Sequence, residues 1–189
     1  AAGFGSQTAA VLAGGSTYPP ATLKSEVEEY NGATWTEVTN IPATRKQGGG
    51  IGILTAGAVV FGRLNPPAAS GTDSATILEY DGTSWTSGGN GNVARSGVGS
   101  GGTQTAGIVF GGEKPTSAAA NETEEYDGSS WTAGTNYPAA NRGSNGAGSS
   151  STAALIVGGN NGSGTAYTEA YDYDGTTYTD IGTILTPQM

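Results

Sequence analysis

Residues 125–132 read Glu-Tyr-Asp-Gly-Ser-Ser-Trp-Thr, and the phrase recurs with small changes in four places. The other copies are Glu29-Tyr30-Asn31-Gly32-Ala33-Thr34-Trp35-Thr36, Glu79-Tyr80-Asp81-Gly82-Thr83-Ser84-Trp85-Thr86 and Asp172-Tyr173-Asp174-Gly175-Thr176-Thr177-Tyr178-Thr179. Asp-Gly or Asn-Gly between residues that favour strands is a strong hairpin signal. Each copy is therefore read as strand, tight turn, strand. Upstream of each lies an apolar run ending in glycine: Val11-Leu12-Ala13-Gly14-Gly15, Val59-Val60-Phe61-Gly62, Ile108-Val109-Phe110-Gly111-Gly112 and Leu155-Ile156-Val157-Gly158-Gly159. Such continuous runs suit strands buried on both faces. A third element is an arginine ten residues ahead of a Thr-Ala step: Arg45 with Thr55, Arg95 with Thr105, and Arg142 with Thr152.

The period is about 45 to 50 residues, and repetition at this spacing predicts an array of small sheets. Each unit reads as four strands, with the glycine-rich stretch from Arg95 to Gly102 as the pattern for strand one. One sheet of this size cannot bury both faces, but packing sheet on sheet around an axis can. The fold class expected is all-β, a β-propeller of four four-stranded blades. The repeats run 187–189 plus 1–44, 45–94, 95–141 and 142–186. Placing Thr186-Pro187-Gln188-Met189 before Ala1-Ala2-Gly3-Phe4-Gly5 imitates Thr44 to Gly52, with Pro187 in the arginine's place. That phase match suits closure within one chain, an eight-bladed ring shared by two chains, or a segment of a longer array. The opening Ala1-Ala2-Gly3 suggests a processed chain or a piece of something longer.

Composition narrows the chemistry. The 189 residues (18.6 kDa) include 34 Gly, against the ~7% usual for globular proteins. There is no Cys and no His, so disulfides, thiolate or imidazole metal sites, cysteine nucleophiles and histidine bases are excluded. Seven basic residues against sixteen acidic ones, net −9, argue against a nucleic-acid surface. No run approaches the ~20 apolar residues of a membrane-spanning helix, and no signal peptide is visible. No cofactor, metal or catalytic residue is expected. The Asp-Gly steps are read as turns in preference to calcium loops.

These residues resemble kelch repeats, which also place Gly-Gly after an apolar second strand, then Tyr and Trp on strands three and four, then an arginine. The interval from Tyr80 to Trp85 is shorter than in that family, and its His after the arginine is absent. The wording Gly-Thr-Gln-Thr-Ala-Gly (102–107) and Glu-Tyr-Asp-Gly-Ser-Ser-Trp-Thr is especially similar to kelch-like arrays of marine bacteriophage tail and fibre proteins. The resemblance implies a non-catalytic viral module, in a virion or extracellular, attaching to a cell-surface glycan or to other virion proteins. A secreted bacterial lectin-like protein is the alternative. A glycan-cleaving enzyme, with Arg45, Arg95, Arg142, Tyr30 and Glu29 imitating a sialidase site, is a third. Partners therefore include carbohydrate or protein, with no nucleic acid and no membrane insertion, and a homo-oligomer is among the arrangements considered.

The recurring Tyr and Trp residues are expected to fill gaps between blades. Recognition is expected in the loops after Gly-Gly, which vary in length and chemistry (16–22, 63–72, from Glu113, and from Asn160). Candidate ligand-binding residues are Tyr18, Arg63, Lys114 and Tyr167, with Tyr137 another non-repeating aromatic. Arg45, Arg95 and Arg142 are added as a ring of cations able to hold a carboxylate or phosphate. Their alternative is pairing with a neighbouring acid among Glu29, Glu79, Glu125 and Asp172.

Overall fold

A computed structural model describes residues 1–19, 22–64 and 72–186. It is all-β, with no helix among the described residues. The first repeat forms one antiparallel sheet in the order β1 (Ala2–Ser6), β2 (Ala9–Thr17), β3 (Thr22–Tyr30), β4 (Trp35–Val38). A two-residue strand, β5 (Arg45–Lys46), opens the second repeat. Its main sheet runs β6 (Gly49–Ile53), β7 (Ala56–Val60), β10 (Ile77–Tyr80), β11 (Trp85–Ser87). Between β7 and β10, the short strands β8 (Arg63–Leu64) and β9 (Thr72–Asp73) join β5 in a small three-stranded ladder. The third sheet is β12 (Gly99–Thr103), β13 (Ala106–Phe110), β14 (Thr123–Tyr126), β15 (Trp131–Ala133). The fourth is β16 (Asn145–Ser150), β17 (Ala153–Val157), β18 (Glu169–Tyr173), β19 (Tyr178–Thr183). Single bridges Ser96–Glu113–Ala119 and Arg142–Asn160–Ala166 repeat the small ladder beside sheets three and four.

The sheets stack in sequence, first strand beside first strand: β1 on β6, β6 on β12, β12 on β16. No comparable packing joins β16 to β1 among the described residues. Three apolar cores lie between consecutive sheets. Phe4, Val11 and Val27 meet Val59, Leu78 and Tyr80; Ile51, Ala58, Val60 and Ile77 meet Val109, Tyr126 and Trp131; Ile108 and Phe110 meet Ala154, Ile156 and Tyr173. Alternation along β7 sends Val59 to one core and Ala58 and Val60 to the next, so the strand must be apolar on both faces. Each large side chain so buried contributes roughly 1.5–3 kcal/mol.

The hairpin after β10 pairs Tyr80 with Trp85 across a four-residue loop. Asp81 Oδ1 accepts from the N–H groups of Thr83 and Ser84, each at 2.8 Å, and Gly82 adopts φ +94°. Asp127 and Asp174 repeat this, and Asn31 does it with an amide oxygen. The carboxylates are thus spent inside their own turns, as Asx turns are.

Three details depart from the sequence reading. Strand one of the third repeat begins at Gly99, because Arg95 and Ser96 bridge to the loops and Gly97 turns at φ +61°. In the second repeat Phe61 occupies the place of the first glycine of Gly-Gly, at φ +56°. This conformation costs a non-glycine residue about 1–2 kcal/mol, and it is offset by a fully buried ring lying 5.1 Å from Trp131. Finally, Arg142 is not the counterpart of Arg95. Gly62 N–H donates to the Arg95 carbonyl and Gly112 N–H to the Asn141 carbonyl, so Asn141 holds the arginine's position. The displacement of one residue is absorbed by a β-bulge between Gly148 and Ser150 in β16. Pro187, Pro20, Ala21 and Asn65 to Gly71 lie outside the described residues.

Hydrogen bonds from the Ser84, Ser130 and Thr177 backbones, then from the neighbouring hydroxyls and amides, hold Asp81, Asp127 and Asp174 well below the usual carboxylate range. A depressed carboxyl contributes stability above its unfolded pKa and loses it as pH falls through the folded value. The triple variant Asp81→Asn, Asp127→Asn, Asp174→Asn should keep the fold, since Asn31 already makes this turn. Its urea midpoint should change less than the parent's between about pH 5 and pH 2.

Candidate binding surface

The small ladders place the variable loops at one end of the sheets, and there the candidate residues divide into buried and open groups. Arg45 and Arg95 are buried. Arg45 Nη1 donates to the carbonyls of Phe61 (2.6 Å) and Thr76 (3.1 Å), and Nη2 to the Thr76 hydroxyl (2.7 Å). Among the described residues no carboxylate pairs with it, and burial pulls its pKa down to about 10. Arg95 Nη1 donates to the carbonyls of Gly111 (2.8 Å) and Glu122 (2.6 Å), and Nη2 to Glu124 Oε1 (2.7 Å). Burial lowers its pKa and the Glu124 charge opposes that. Glu124 Oε2 accepts in turn from Asn92 N–H and Nδ2, and the Arg95 guanidinium lies 5.3 Å from the Phe61 ring centre. Asn141, in the equivalent position, donates Nδ2–H to the Gly158 carbonyl at 2.7 Å.

These arginines therefore do not form an open ring of cations. Nor do Arg45 and Arg95 pair with Glu29, Glu79 or Glu125, because those carboxylates accept from tyrosines of the next sheet. Tyr80 donates to Glu29 at 2.7 Å, Tyr126 to Glu79, and Tyr173 to Glu125 at 2.7 Å. Burial first, and then the glutamates, pushes the three tyrosine pKa values up. Each arginine instead ties the start of its repeat to the carbonyl that follows the apolar strand, Phe61 or Gly111, and to the carbonyl of Thr76 or Glu122, which also accepts from the Phe61 or Gly111 N–H.

Arg63 and Arg142 do come together, through Glu113. Arg63 Nε donates to Asp73 Oδ1 at 2.8 Å and Nη2 to Glu113 Oε1 at 3.1 Å. Arg142 Nη1 donates to Glu113 Oε2, Nε to Asn160 Oδ1 at 3.3 Å and Nη2 to the Gly162 carbonyl at 2.9 Å. The chain Asp73–Arg63–Glu113–Arg142 thus links the loops of three repeats. Burial works against the Glu113 charge, yet the two guanidiniums outweigh it and lower its pKa. Arg63 is raised, foremost by its hydrogen bond to Asp73. Neither Asp73 nor the bridging role of Glu113 is marked by any repeat in the sequence.

Lys114 pairs with Glu122 on the same loop. Tyr167 is half-buried, its hydroxyl 3.3 Å from the Ala140 carbonyl. Tyr18, in the first repeat, is 88% exposed. Tyr137, the other non-repeating aromatic, is buried edge-on against Tyr171 and Tyr178. Among the described residues no three carboxylates gather in a metal-binding group. No protein-family model matches the chain, and no curated protein matches it.

The two ion pairs should differ in consequence. Glu124→Ala leaves a buried guanidinium without its carboxylate and should cost about 3–5 kcal/mol in denaturant unfolding. Glu113→Ala, between two partly solvated arginines, should cost about 1 kcal/mol.

Proposed function

We propose that the chain is a run of kelch-type β-propeller blades acting as a non-catalytic binding and structural module of a virion tail or fibre, with a host-surface glycan or another virion protein as its partner. The observation that supports this reading is a division of labour. The repeated polar residues, Glu29, Glu79, Glu125, Tyr80, Tyr126, Tyr173, Arg45 and Arg95, are committed to holding sheets and loops together. Non-repeating chemistry is concentrated in the loops after the apolar strands, where Tyr18, Arg63, Lys114 and Tyr167 lie and which Arg142 reaches from the start of the fourth repeat. A rigid scaffold with variable loops is a recognition design. Tyr18 offers an apolar ring for a sugar face, while Lys114 and Arg142 offer donors at the rim. The kelch-like wording supplies the viral context.

The test is binding to a glycan array and to whole bacterial cells, with the variants Tyr18→Ala and Lys114→Ser. Retention on a glycan or on cells, reduced about tenfold or more by either variant at unchanged thermal midpoint, is the expected result. Turnover of a glycoside abolished by Arg142→Ala would overturn the non-catalytic reading.

A further inference from the structure

Every junction between two sheets is built the same way, and the two outermost faces each carry one half of that junction. At each internal junction the later sheet supplies a tyrosine hydroxyl and the earlier sheet a glutamate. Twice a tryptophan also reaches back: Trp85 Nε1 donates to the Thr39 carbonyl at 2.9 Å and Trp131 Nε1 to the Gly89 carbonyl at 2.8 Å. At one junction Gln104 Nε2 donates to the Gly57 carbonyl at 2.9 Å.

The outer face of sheet one repeats the donor half in register. Tyr30 and Trp35 stand where Tyr80 and Trp85 stand in sheet two, and Gln7 matches Gln104. None of the three has a described cross-sheet partner; Trp35 is 50% exposed, whereas Trp131 is buried. The outer face of sheet four repeats the acceptor half, with Asp172 in the register of Glu29, Glu79 and Glu125. The apolar residues agree. Leu12, in the register of the buried Val59 and Val109, is 38% exposed; Leu155, in the register of the buried Val11, Ala58 and Ile108, is also 38% exposed. A shallow concavity lined by Ala147, Ala154, Leu155, Asp172 and Tyr173 lies on sheet four where a following sheet would sit. Glu28 on sheet one matches Glu124, which at an internal junction accepts from Arg95 of its own repeat and from the Asn92 and Val93 N–H groups of the preceding one.

We infer that the donor face of sheet one docks on the acceptor face of sheet four of a second copy of this chain. Tyr30 donates to Asp172 of that copy, and Leu12 and Leu155 are buried between them. The occupant is a second copy because both halves are present in one sequence while, among the described residues, the two faces do not pack on each other. Joining them internally would require the three existing junctions to rearrange. The contact is head-to-tail, and two copies related by a two-fold axis close it at both ends into a ring of eight sheets. The inference rests on the blade reading above but not on the ligand, so failure to bind a glycan leaves it standing.

The test is sedimentation equilibrium of the whole chain with Leu12→Glu and Leu155→Glu. Both side chains are exposed in the single chain, so each variant should match the parent's far-ultraviolet spectrum and thermal unfolding when diluted. The parent should have the mass of two chains at micromolar concentration. Each variant alone should associate at least about 100-fold more weakly. Mixing the two variants leaves one intact junction, from Leu12 of one to Leu155 of the other, and should restore the two-chain mass. Tyr30→Phe should weaken association about tenfold. A parent that stays one chain at hundreds of micromolar, a mass above two chains, variants that still pair, or a mixture that does not recover would each overturn the proposal.

Discussion

A tyrosine hydroxyl reaching across to the glutamate of the preceding sheet is the contact on which the rest of the molecule depends. Each sheet is only four short strands, and its first strand is rich in glycine, as in Gly99-Ser100-Gly101-Gly102. Such a sheet has too little apolar surface to bury one face alone. It becomes stable by lending one face to each neighbour, so Val59 serves one core while Ala58 and Val60 serve another. The tyrosine fills the gap with its ring and sets the register with its hydroxyl, because an unpaired phenol or carboxylate left there would cost about 1–3 kcal/mol. Glycine permits the close approach: a Cβ on Gly107 would lie 2.6 Å from the Ile51 side chain and one on Gly50 would lie 2.2 Å from the Gly3 carbonyl.

The buried arginines solve a second problem. After the apolar strands of repeats two to four the chain leaves its ladder through Gly-Gly, or Phe61-Gly62, and the first carbonyl of that corner takes a side-chain donor, while the second accepts from a backbone N–H. A guanidinium carries five donors and stays charged, so one side chain satisfies two or three acceptors at once. Arg95 adds Glu124, while in the second repeat Leu78 holds the register of Glu124 and Arg45 relies on the Thr76 carbonyl and hydroxyl. Outside these posts, the Asp73–Arg63–Glu113–Arg142 chain binds loops to one another. It ties together the loop surface proposed for recognition.

The repeating parts of the fold were legible in the sequence because each repeat solves the same packing problem with the same residues. Glu-Tyr-Asp-Gly-x-x-Trp-Thr announced its hairpin, and the apolar runs announced strands with two buried faces. Counting ten residues from arginine to Thr-Ala failed in the fourth repeat, where the bulge in β16 moved the buried role to Asn141 and turned Arg142 outward. Phe61 passed as a strand residue because pattern alone does not reveal a left-handed backbone. The arginines were read as an open ring of cations or as partners of repeated acids, but Arg45 and Arg95 are buried and Glu29, Glu79 and Glu125 are taken by tyrosines. Asp73 and Glu113 carry no periodic mark, since loop contacts are made by residues that differ from repeat to repeat. Lys114 and Tyr18 stood out in the sequence as exceptions to the period.

The most direct measurement of this account is a double-mutant cycle on the middle junction, with Tyr126→Phe, Glu79→Gln and the pair, read by urea unfolding. Interlocking sheets predict a coupling of about 1–3 kcal/mol. Coupling within about 0.3 kcal/mol of zero, with each single change also near neutral, would contradict it. The tyrosines would then be gap-fillers alone, and the register between sheets would have to come from elsewhere.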